Sequence, residues 1–216
     1  MSFLRLYRSL VILLSSKNNY IIRIMKKSIF VLVALFLGLT SMAQEHLSFK
    51  GIPIEGSMES FCEKLADKGF TKLGNDNNTT LFVGDFTGRN STVGIIADDD
   101  GENVYSVVVL FDSSDEWKVL VNTYDYYKDL YTRKYGKPKV SIEKNKELMS
   151  TSPNNGLLMI ELDERRATWG SLWEVTGGEI EINIEKTDGY LEGAVVIRYR
   201  DAQNEEAKIQ KHLEDI

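Results

Sequence analysis

Residues 103–111 have the sequence NVYSVVVLF, and this stretch decides the fold. It is apolar at nearly every position, which is typical of a strand in the middle of a sheet that is covered on both faces. The turn at residues 98–101, DDDG, precedes it, and Asp-Gly is a strong hairpin signal. We therefore expect a central strand that forms a hairpin with the strand before it.

The chain before this stretch contains further strand patterns and one helix. The predicted helix starts at Ser57, a suitable N-cap, and ends before Gly69, which suits the left-handed position after a helix. Pro53 favours a sheet edge for the first strand, where a missing N–H donor is harmless. The predicted strands are residues 47–54, 81–86 and 92–97, and the predicted helix is residues 57–68.

The chain after this stretch contains the longest helix and a second group of strands. Ser113 and Glu116 match a capping box, and Gly136 with Pro138 ends the helical pattern. One later strand alternates cleanly, with isoleucines inward and mostly glutamates outward. The predicted elements are a helix at 115–135, a polar loop at 141–156, strands at 157–162, 167–175, 179–185 and 193–200, and a polar helix at 202–213.

These elements together predict an α+β fold. Connections between the strands are short, which favours antiparallel neighbours. We expect an antiparallel sheet of about seven to eight strands in two meanders, packed on the long helix, with a short N-terminal helix and a polar C-terminal helix. A helix followed by a meander occurs twice. Two meanders in one domain explain this better than a duplication, because the two units share no matching residues.

The N-terminal region predicts export. Residues 25–28, MKKS, form a basic segment, residues 29–39 are apolar, and small residues stand before a cleavage site between Ala43 and Gln44. The apolar run is shorter than the roughly 20 residues that span a bilayer, although an N-terminal membrane anchor stays open as an alternative. The predicted organisation is a cleavable signal peptide at 25–43 and a single α+β domain at 44–216, periplasmic or secreted.

Residues 1–24 do not fit this organisation, because a signal peptide begins near its own methionine. We interpret them as an over-extended start that is not part of the fold. The alternative is a real role for the apolar residues 10–14. No cysteine follows the apolar run closely, so we expect no stable membrane anchor after cleavage.

The charge excludes one class of partner. The chain has a formal net charge of −6, and residues 1–43 hold six of its 26 basic residues and none of its 32 acidic ones. The remaining 20 basic residues leave the mature part with a net charge of −12. Such a surface repels phosphate backbones, so we expect no nucleic acid partner. The single cysteine, Cys62, forms no internal disulfide and is expected in the core.

The sequence predicts no catalytic residue and no cofactor. His46 and His212 stand near the ends of the mature chain, where we expect exposed side chains without a role. Ser-His-Asp and Cys-His catalysis need a positioned histidine and are therefore disfavoured. The chain contains no P-loop, no GxGxxG after a strand and no Cys/His set for zinc.

An acidic turn offers a weak metal alternative. Asp98, Asp100 and Glu102 bring carboxylates together, and oxygen-rich loops can bind calcium. The glycine, however, comes too early for an EF-hand pattern, and no distant glutamate closes the site. A hairpin turn without metal is the favoured interpretation.

Aromatic residues give the one positive indication of a ligand site. Trp169 and Trp173 lie four apart on a predicted strand, hence on one face, and tyrosines crowd one side of the long helix. Such residues fill cores, which is the more common case, but they also line peptide or sugar grooves. The predicted ligand-binding residues are Trp169, Trp173, Tyr127 and Tyr131, with Arg165 and Arg166 in an adjoining hairpin turn.

Residues 45–57, EHLSFKGIPIEGS, follow Ala43-Gln44, and KYG at 134–136 and YRDAQN at 199–204 occur later. With these phrases the chain resembles small exported proteins of Bacteroidota gut bacteria whose mature part opens on an EHLxFxGIPIxG-like phrase. The resemblance implies export and a single domain. It carries over no catalytic residue, since its phrases mark turns and element ends.

Three function hypotheses follow. The leading one is a non-enzymatic periplasmic or secreted binding module for a protein, peptide or glycan. The second is a carboxylate-dependent glycan hydrolase, which needs two acidic residues facing each other in a cleft. The third is an inhibitor-like protein that blocks a partner enzyme.

Overall fold

A computed structural model describes residues 45–144, 156–214 and 216. The predicted signal peptide at 25–43 and the over-extended start at 1–24 lie outside the described residues, as does most of the predicted loop at 141–156. Residues 44–216 cluster as one compact unit. No helix within the described ranges is long and apolar enough to cross a membrane.

The unit is built on an eight-stranded sheet in the order β3-β4-β5-β6-β10-β9-β8-β7, with every neighbouring pair antiparallel. Its strands are β3 Thr71–Asp76, β4 Thr79–Phe86, β5 Arg89–Ala97, β6 Val104–Leu110, β7 Val140–Glu143, β8 Trp169–Val175, β9 Gly178–Lys186 and β10 Gly193–Asp201. Strands β3–β6 form one meander and β7–β10 the other, and β10 joins them by pairing with β6. The predicted α+β fold with two meanders is confirmed.

One face of the sheet packs against helices, and the core lies between them. The helices are α1 Met58–Asp67, α2 Trp117–Tyr135, α3 Gly156–Asp163 and α4 Ala202–Leu213. Helix α2 contributes the largest share of the core, because Trp117, Leu120, Tyr124, Tyr127 and Tyr131 recur along its inner side and are all buried. Helix α4 has no buried residue and remains the polar C-terminal helix that the sequence predicts.

Strand β6 is central, as predicted, with β5 and β10 on its two sides. Val107 and Val109 are fully buried on its inner face. On its other face Ser106 is 5% exposed, whereas Val108 is half-buried and Leu110 is 39% exposed. The expectation that both faces are covered therefore holds at Ser106 and is wrong toward Leu110.

The outer face carries a ladder of ion pairs across β9 and β10. The isoleucines of β9 point into the core, as predicted, and its glutamates point outward. Glu185 pairs with Arg198, and Glu181 pairs with Arg200 at 2.6 Å. These pairs give the second meander a polar outer surface.

Helix α1 begins and ends with the capping residues that the sequence predicts. Ser57 Oγ accepts a hydrogen bond from the Ser60 N–H at 3.3 Å, and Gly69 adopts φ of 89°. The Phe70 N–H then donates to the Leu65 carbonyl at 3.4 Å, which closes the Schellman arrangement.

The predicted strand at 47–54 is instead a tight hairpin of β1 Ser48–Phe49 and β2 Ile52–Pro53. Lys50 and Gly51 form its two-residue turn with φ of 50° and 77°. Positive φ at both positions is the mark of a type I′ turn, which matches the twist of short paired strands. The weak alternation of this stretch concealed the turn in its middle.

The predicted strand at 157–162 is also wrong, because these residues belong to helix α3. Leu158, Met159 and Leu162 are buried, and their spacing of one and four residues fits one side of a helix. The stretch LLMIEL is apolar at almost every position. Its periodicity therefore cannot separate a buried helix from a buried strand.

The predicted capping box at the start of helix α2 is not formed. The N-cap is Glu116, without a side-chain hydrogen bond to the helix. Ser113 Oγ donates to Glu192 Oε1 at 2.6 Å instead, and Ser114 Oγ accepts from the Glu116 N–H at 3.0 Å. The Ser113 hydroxyl, which the local pattern assigned to the helix cap, is therefore used in a tertiary contact with the β9–β10 connection.

Candidate functional site

The structure places both predicted ligand-binding tryptophans in the core. Trp169 and Trp173 are 2% and 1% exposed. Their Nε1 atoms donate to the carbonyls of Lys144 at 3.0 Å and Gly136 at 2.9 Å. The hypothesis that they line a binding surface is wrong, because the inner face of β8 lies against helix α2 and the shared face predicted by their spacing is buried.

Tyr127 is a core residue as well. It is fully buried, and its hydroxyl donates to the Phe86 carbonyl at 3.3 Å and lies 2.9 Å from Thr87 Oγ1. This hydroxyl is thereby engaged by the β4–β5 connection.

Arg165 and Arg166 are exposed between α3 and β8 rather than in a strand hairpin. Arg166 makes two hydrogen bonds to the carboxylate of Glu161, at 2.7 and 3.1 Å. Neither arginine lies in the cavity that contains Tyr131. The structure therefore does not bring the predicted aromatic and basic residues together.

Tyr131 lines an open cavity of about 950 Å³, which we name the hairpin cleft. It lies between the β1–β2 hairpin with the residues before it, the last turns of helix α2, and the β8–β9 turn. Its apolar wall consists of Leu47, Phe86, Leu130, Tyr131, Tyr135, Val175 and Tyr199. Polar and charged residues complete the lining, and a cavity of this size that combines apolar walls with polar groups is a common form of ligand site.

Two tyrosines form the floor of the hairpin cleft. The hydroxyls of Tyr131 and Tyr199 are hydrogen-bonded to each other, and Tyr131 also packs on Trp173 with ring centroids 5.7 Å apart. Burial raises the pKa of Tyr131 and of Tyr199 above the ordinary value of 10.0. Both rings are therefore neutral phenols at physiological pH.

A buried carboxylate holds the hairpin side of the cleft in place. Asp201 is 0% exposed, and its Oδ2 accepts the Leu47 N–H at 2.8 Å. Its Oδ1 accepts the N–H groups of Gln203 at 3.1 Å and Asn204 at 3.0 Å, which caps helix α4. One side chain thus fixes the first residues of the domain to the last strand and helix.

His46 is part of this arrangement, contrary to the expectation of an exposed side chain without a role. Its side chain is 23% exposed, with Nδ1 3.1 Å from Asp201 Oδ2. The contact lies outside hydrogen-bond geometry, so it becomes an ion pair only when the imidazole is protonated. Sequence reasoning missed this pair because its members stand at opposite ends of the domain.

Gly177 lets the N-terminal segment approach the β8–β9 turn. It has φ of 86°. A Cβ atom at this position would overlap the Glu45 carbonyl oxygen and the Leu47 nitrogen. Only glycine combines this backbone conformation with the space that the segment needs.

Two lysines stand at the rim of the hairpin cleft. Lys50 belongs to the hairpin turn, and Lys134 belongs to the last turn of helix α2. Lys134 Nζ lies 4.7 Å from the Tyr135 ring centroid, and Lys50 Nζ lies 5.2 Å from that of Phe70. Neither ammonium group has a carboxylate within 4 Å in the described part of the chain.

A second cavity, the acidic groove, has a volume of about 940 Å³. It lies between helix α1, the β3–β4 hairpin and the β5–β6 turn. Its carboxylates belong to Glu59, Glu63, Asp98, Asp99, Asp100 and Glu102. Cys62 is half-buried in its wall, where burial raises the pKa of the thiol, so the sulfur is a poor nucleophile at neutral pH.

The carboxylates of the predicted metal alternative serve the β5–β6 turn. Asp98 accepts hydrogen bonds from the Asn103 backbone at 3.0 Å and side chain at 3.2 Å. Asp100 accepts the Glu102 N–H at 3.2 Å and pairs with Lys211 at 2.6 Å. The favoured hairpin turn is thus confirmed, and no group of three metal-ligating side chains is found among the described residues.

Five carboxyl groups of the described residues have a pKa that departs from its ordinary value, and none of these five has the raised pKa of a general acid in glycan hydrolysis. A general acid requires a raised pKa. The carboxyl groups whose pKa departs from its ordinary value all move downward, because basic side chains, hydroxyls or backbone N–H groups donate to them. They are Asp100, Glu161, Asp163, Glu185 and Glu192.

The chain was compared with protein-family models, curated proteins and solved structures. The chain matches no protein-family model, no curated protein and no solved structure at a significant level.

Proposed function

We propose that the protein is an exported, non-enzymatic binding module, and that the hairpin cleft receives an apolar or aromatic group of its ligand. The ligand is a protein or peptide that presents such a group, or a free molecule of the same chemistry. Export rests on the signal pattern at residues 25–43 and on the resemblance to exported proteins of Bacteroidota.

The single observation that carries the proposal is the composition of the cleft. Three tyrosines and four aliphatic or aromatic side chains line an open cavity of about 950 Å³. Side chains of this kind gain free energy when a ligand displaces water from them, about 25 cal/mol per Å² of apolar area. Their neutral hydroxyls add directional contacts without adding charge.

The chemistry of the remaining candidates supports binding over catalysis. The pKa values of Asp100, Glu161, Asp163, Glu185 and Glu192 are lowered, and the raised pKa of the Cys62 thiol keeps it protonated at neutral pH. His46 lies against a buried carboxylate in a supporting contact. These groups can hold the fold and its cleft, but they offer no activated acid, base or nucleophile.

Fluorescence titration tests the site with N-phenyl-1-naphthylamine, an uncharged aromatic probe. We expect saturable binding that Ser48→Phe weakens at least ten-fold, because Ser48 is exposed on β1 and its replacement fills the cleft. Thr71→Phe adds the same ring on an exposed position of β3, outside the cleft, and should leave the affinity unchanged. Absence of saturable binding, or an equal loss in both variants, would contradict the proposal.

Mass spectrometry of the exported protein tests the proposed signal peptide and its cleavage site. We expect a mature N-terminus at Gln44. A peptide containing Leu4 or Tyr7 in the exported fraction would show that the upstream residues are translated and retained.

A further inference from the structure

We propose that the hairpin cleft selects a ligand whose apolar part carries an adjacent anionic group, such as a carboxylate or a sulfonate, and that Lys50 and Lys134 receive this group. The inference rests on the proposed function and names the chemical class of its ligand.

The first argument is the contrast with the rest of the surface. The mature chain carries 32 acidic and 20 basic residues, so its average field repels anions. Two lysines on separate elements nevertheless meet at one cavity. Lys50 lies on the hairpin turn, and Lys134 lies on helix α2.

The second argument is that both ammonium groups have donors to spare. A lysine ammonium has three N–H donors. Lys50 donates one of them to the Asp85 carbonyl at 3.0 Å, and Lys134 has a ring contact with Tyr135 as its described interaction. Aromatic rings position a cation without neutralising it, so both charges stay available to a ligand.

The third argument concerns the two glutamates at the cleft. Glu174 is ion-paired with Lys139, which cancels its charge locally. Glu45 is exposed at the start of the described chain. With Glu174 paired, Lys50 and Lys134 outnumber Glu45 among the charged residues that line the cleft, so the rim favours an anion.

The fourth argument is the floor. Two phenols share one hydrogen bond between Tyr131 and Tyr199, which leaves one phenolic hydrogen without an acceptor in the described part of the chain. A ligand oxygen supplies such an acceptor, whereas a purely apolar ligand does not.

A matched pair of probes tests the inference. N-phenyl-1-naphthylamine and 8-anilino-1-naphthalenesulfonate share one aromatic body, and the second adds a sulfonate. At low salt we expect at least ten-fold tighter binding of the sulfonate, and a smaller difference as NaCl screens the lysines. The double variant Lys50→Gln, Lys134→Gln should bring the sulfonate to the affinity of the neutral probe.

Lys118→Gln is the control, because Lys118 is exposed at the other end of helix α2 and does not line the cleft. It should leave both affinities unchanged. Equal affinity for the two probes, or a preference that survives the double variant, would overturn the inference while the proposed function stands. Failure of both probes to bind would overturn the proposed function itself.

A peptide arm distinguishes the source of the anion. The acid and the C-terminal amide of acetyl-Gly-Leu-Phe differ only in the terminal carboxylate. Tighter binding of the acid supports a peptide chain end as the ligand. Preference for the sulfonate probe without binding of either peptide supports a free organic acid.

Discussion

The hairpin cleft and the acidic groove have nearly equal volumes, about 950 and 940 Å³, but they use their charges in opposite ways. In the groove, Asp98 and Asp100 are occupied by N–H groups of their own turn and by Lys211. In the cleft, Lys50 and Lys134 keep free donors. Volume therefore does not distinguish the two cavities, which differ in the charge of their lining and in how far their turn residues are already paired.

The largest expected effect is a loss of stability when Asp201, the buried carboxylate beside the hairpin cleft, is replaced. Asp201→Ala leaves the N–H groups of Leu47, Gln203 and Asn204 without their acceptor. Each unsatisfied buried donor costs about 1–3 kcal/mol, so we expect the free energy of unfolding to fall by about 3–5 kcal/mol. Urea denaturation measures this loss.

Asp201→Asn is the milder partner of that variant, because its amide oxygen still accepts hydrogen bonds. We expect Asp201→Asn to lower the free energy of unfolding by less than half as much as Asp201→Ala does. A loss below about 1 kcal/mol for Asp201→Ala would mean that the carboxylate does not hold the cleft together.

The next effect separates crowding from backbone strain at the edge of the cleft. Gly177 and Gly136 share φ of 86°, but an added Cβ meets the N-terminal segment only at Gly177 and has nothing within 4 Å at Gly136. Alanine costs about 1–3 kcal/mol in such conformations, and Gly136, with ψ of −167°, lies in a region that is essentially restricted to glycine. We expect Gly177→Ala to cost about 1–2 kcal/mol more and to weaken probe binding, as thermal unfolding and titration would show.

Equal losses at the two glycines would contradict the close approach of the N-terminal segment to the β8–β9 turn. Weaker probe binding in Gly136→Ala than in Gly177→Ala would place the sensitive wall on the helix.

A smaller loss of stability is expected when Asp98 of the acidic groove is replaced. Asp98 is 6% exposed and accepts two hydrogen bonds from Asn103. We expect Asp98→Ala to lower the free energy of unfolding by about 1–2 kcal/mol. Calorimetry should find no calcium binding tighter than millimolar in the wild type. Such binding, if abolished in Asp98→Ala and Asp100→Ala, would show that the groove is a metal site after all.

The smallest effect is a titration. The hydrogen bond from Lys211, with that of the Glu102 N–H, lowers the pKa of Asp100 from 3.8 to about 2. Because the pKa is depressed in the folded protein, the stabilisation is complete above pH 3.8 and is lost as the pH falls through about 2. NMR titration of the Asp100 carboxyl should show this midpoint, and Lys211→Ala should move it toward 3.8. An unchanged midpoint would contradict the ion pair between Lys211 and Asp100.

Most of the fold could be predicted from the sequence, because its long elements carry clear periodicity. The alternation of β9 and the aromatic stripe of helix α2 both gave correct elements. Strand β3, Thr71–Asp76, was missed because five of its six residues are exposed and polarity there indicates a loop. Helix α3 was mistaken for a strand because a continuous apolar run has no period.

The candidate site was largely hidden from the sequence. Tyr131 was named from its spacing, but Trp169 and Trp173 share a face that the fold buries. The residues that build the cleft come from both ends of the domain, and Leu47 and Asp201 stand 154 positions apart. Local pattern carries no information about such a contact, since it arises only when the complete sheet exists.

The position of β10 has a consequence for folding. This strand fills the gap between β6 and β9, yet it follows both of them along the chain. Until β10 pairs, the NVYSVVVLF segment has a partner on one side only, and Ser106 waits for Tyr199, which is 93 residues later. An apolar strand with an open edge invites pairing with other chains. Yield and aggregation during folding should therefore depend on how soon β10 pairs with β6, far more than on the stability of the folded domain.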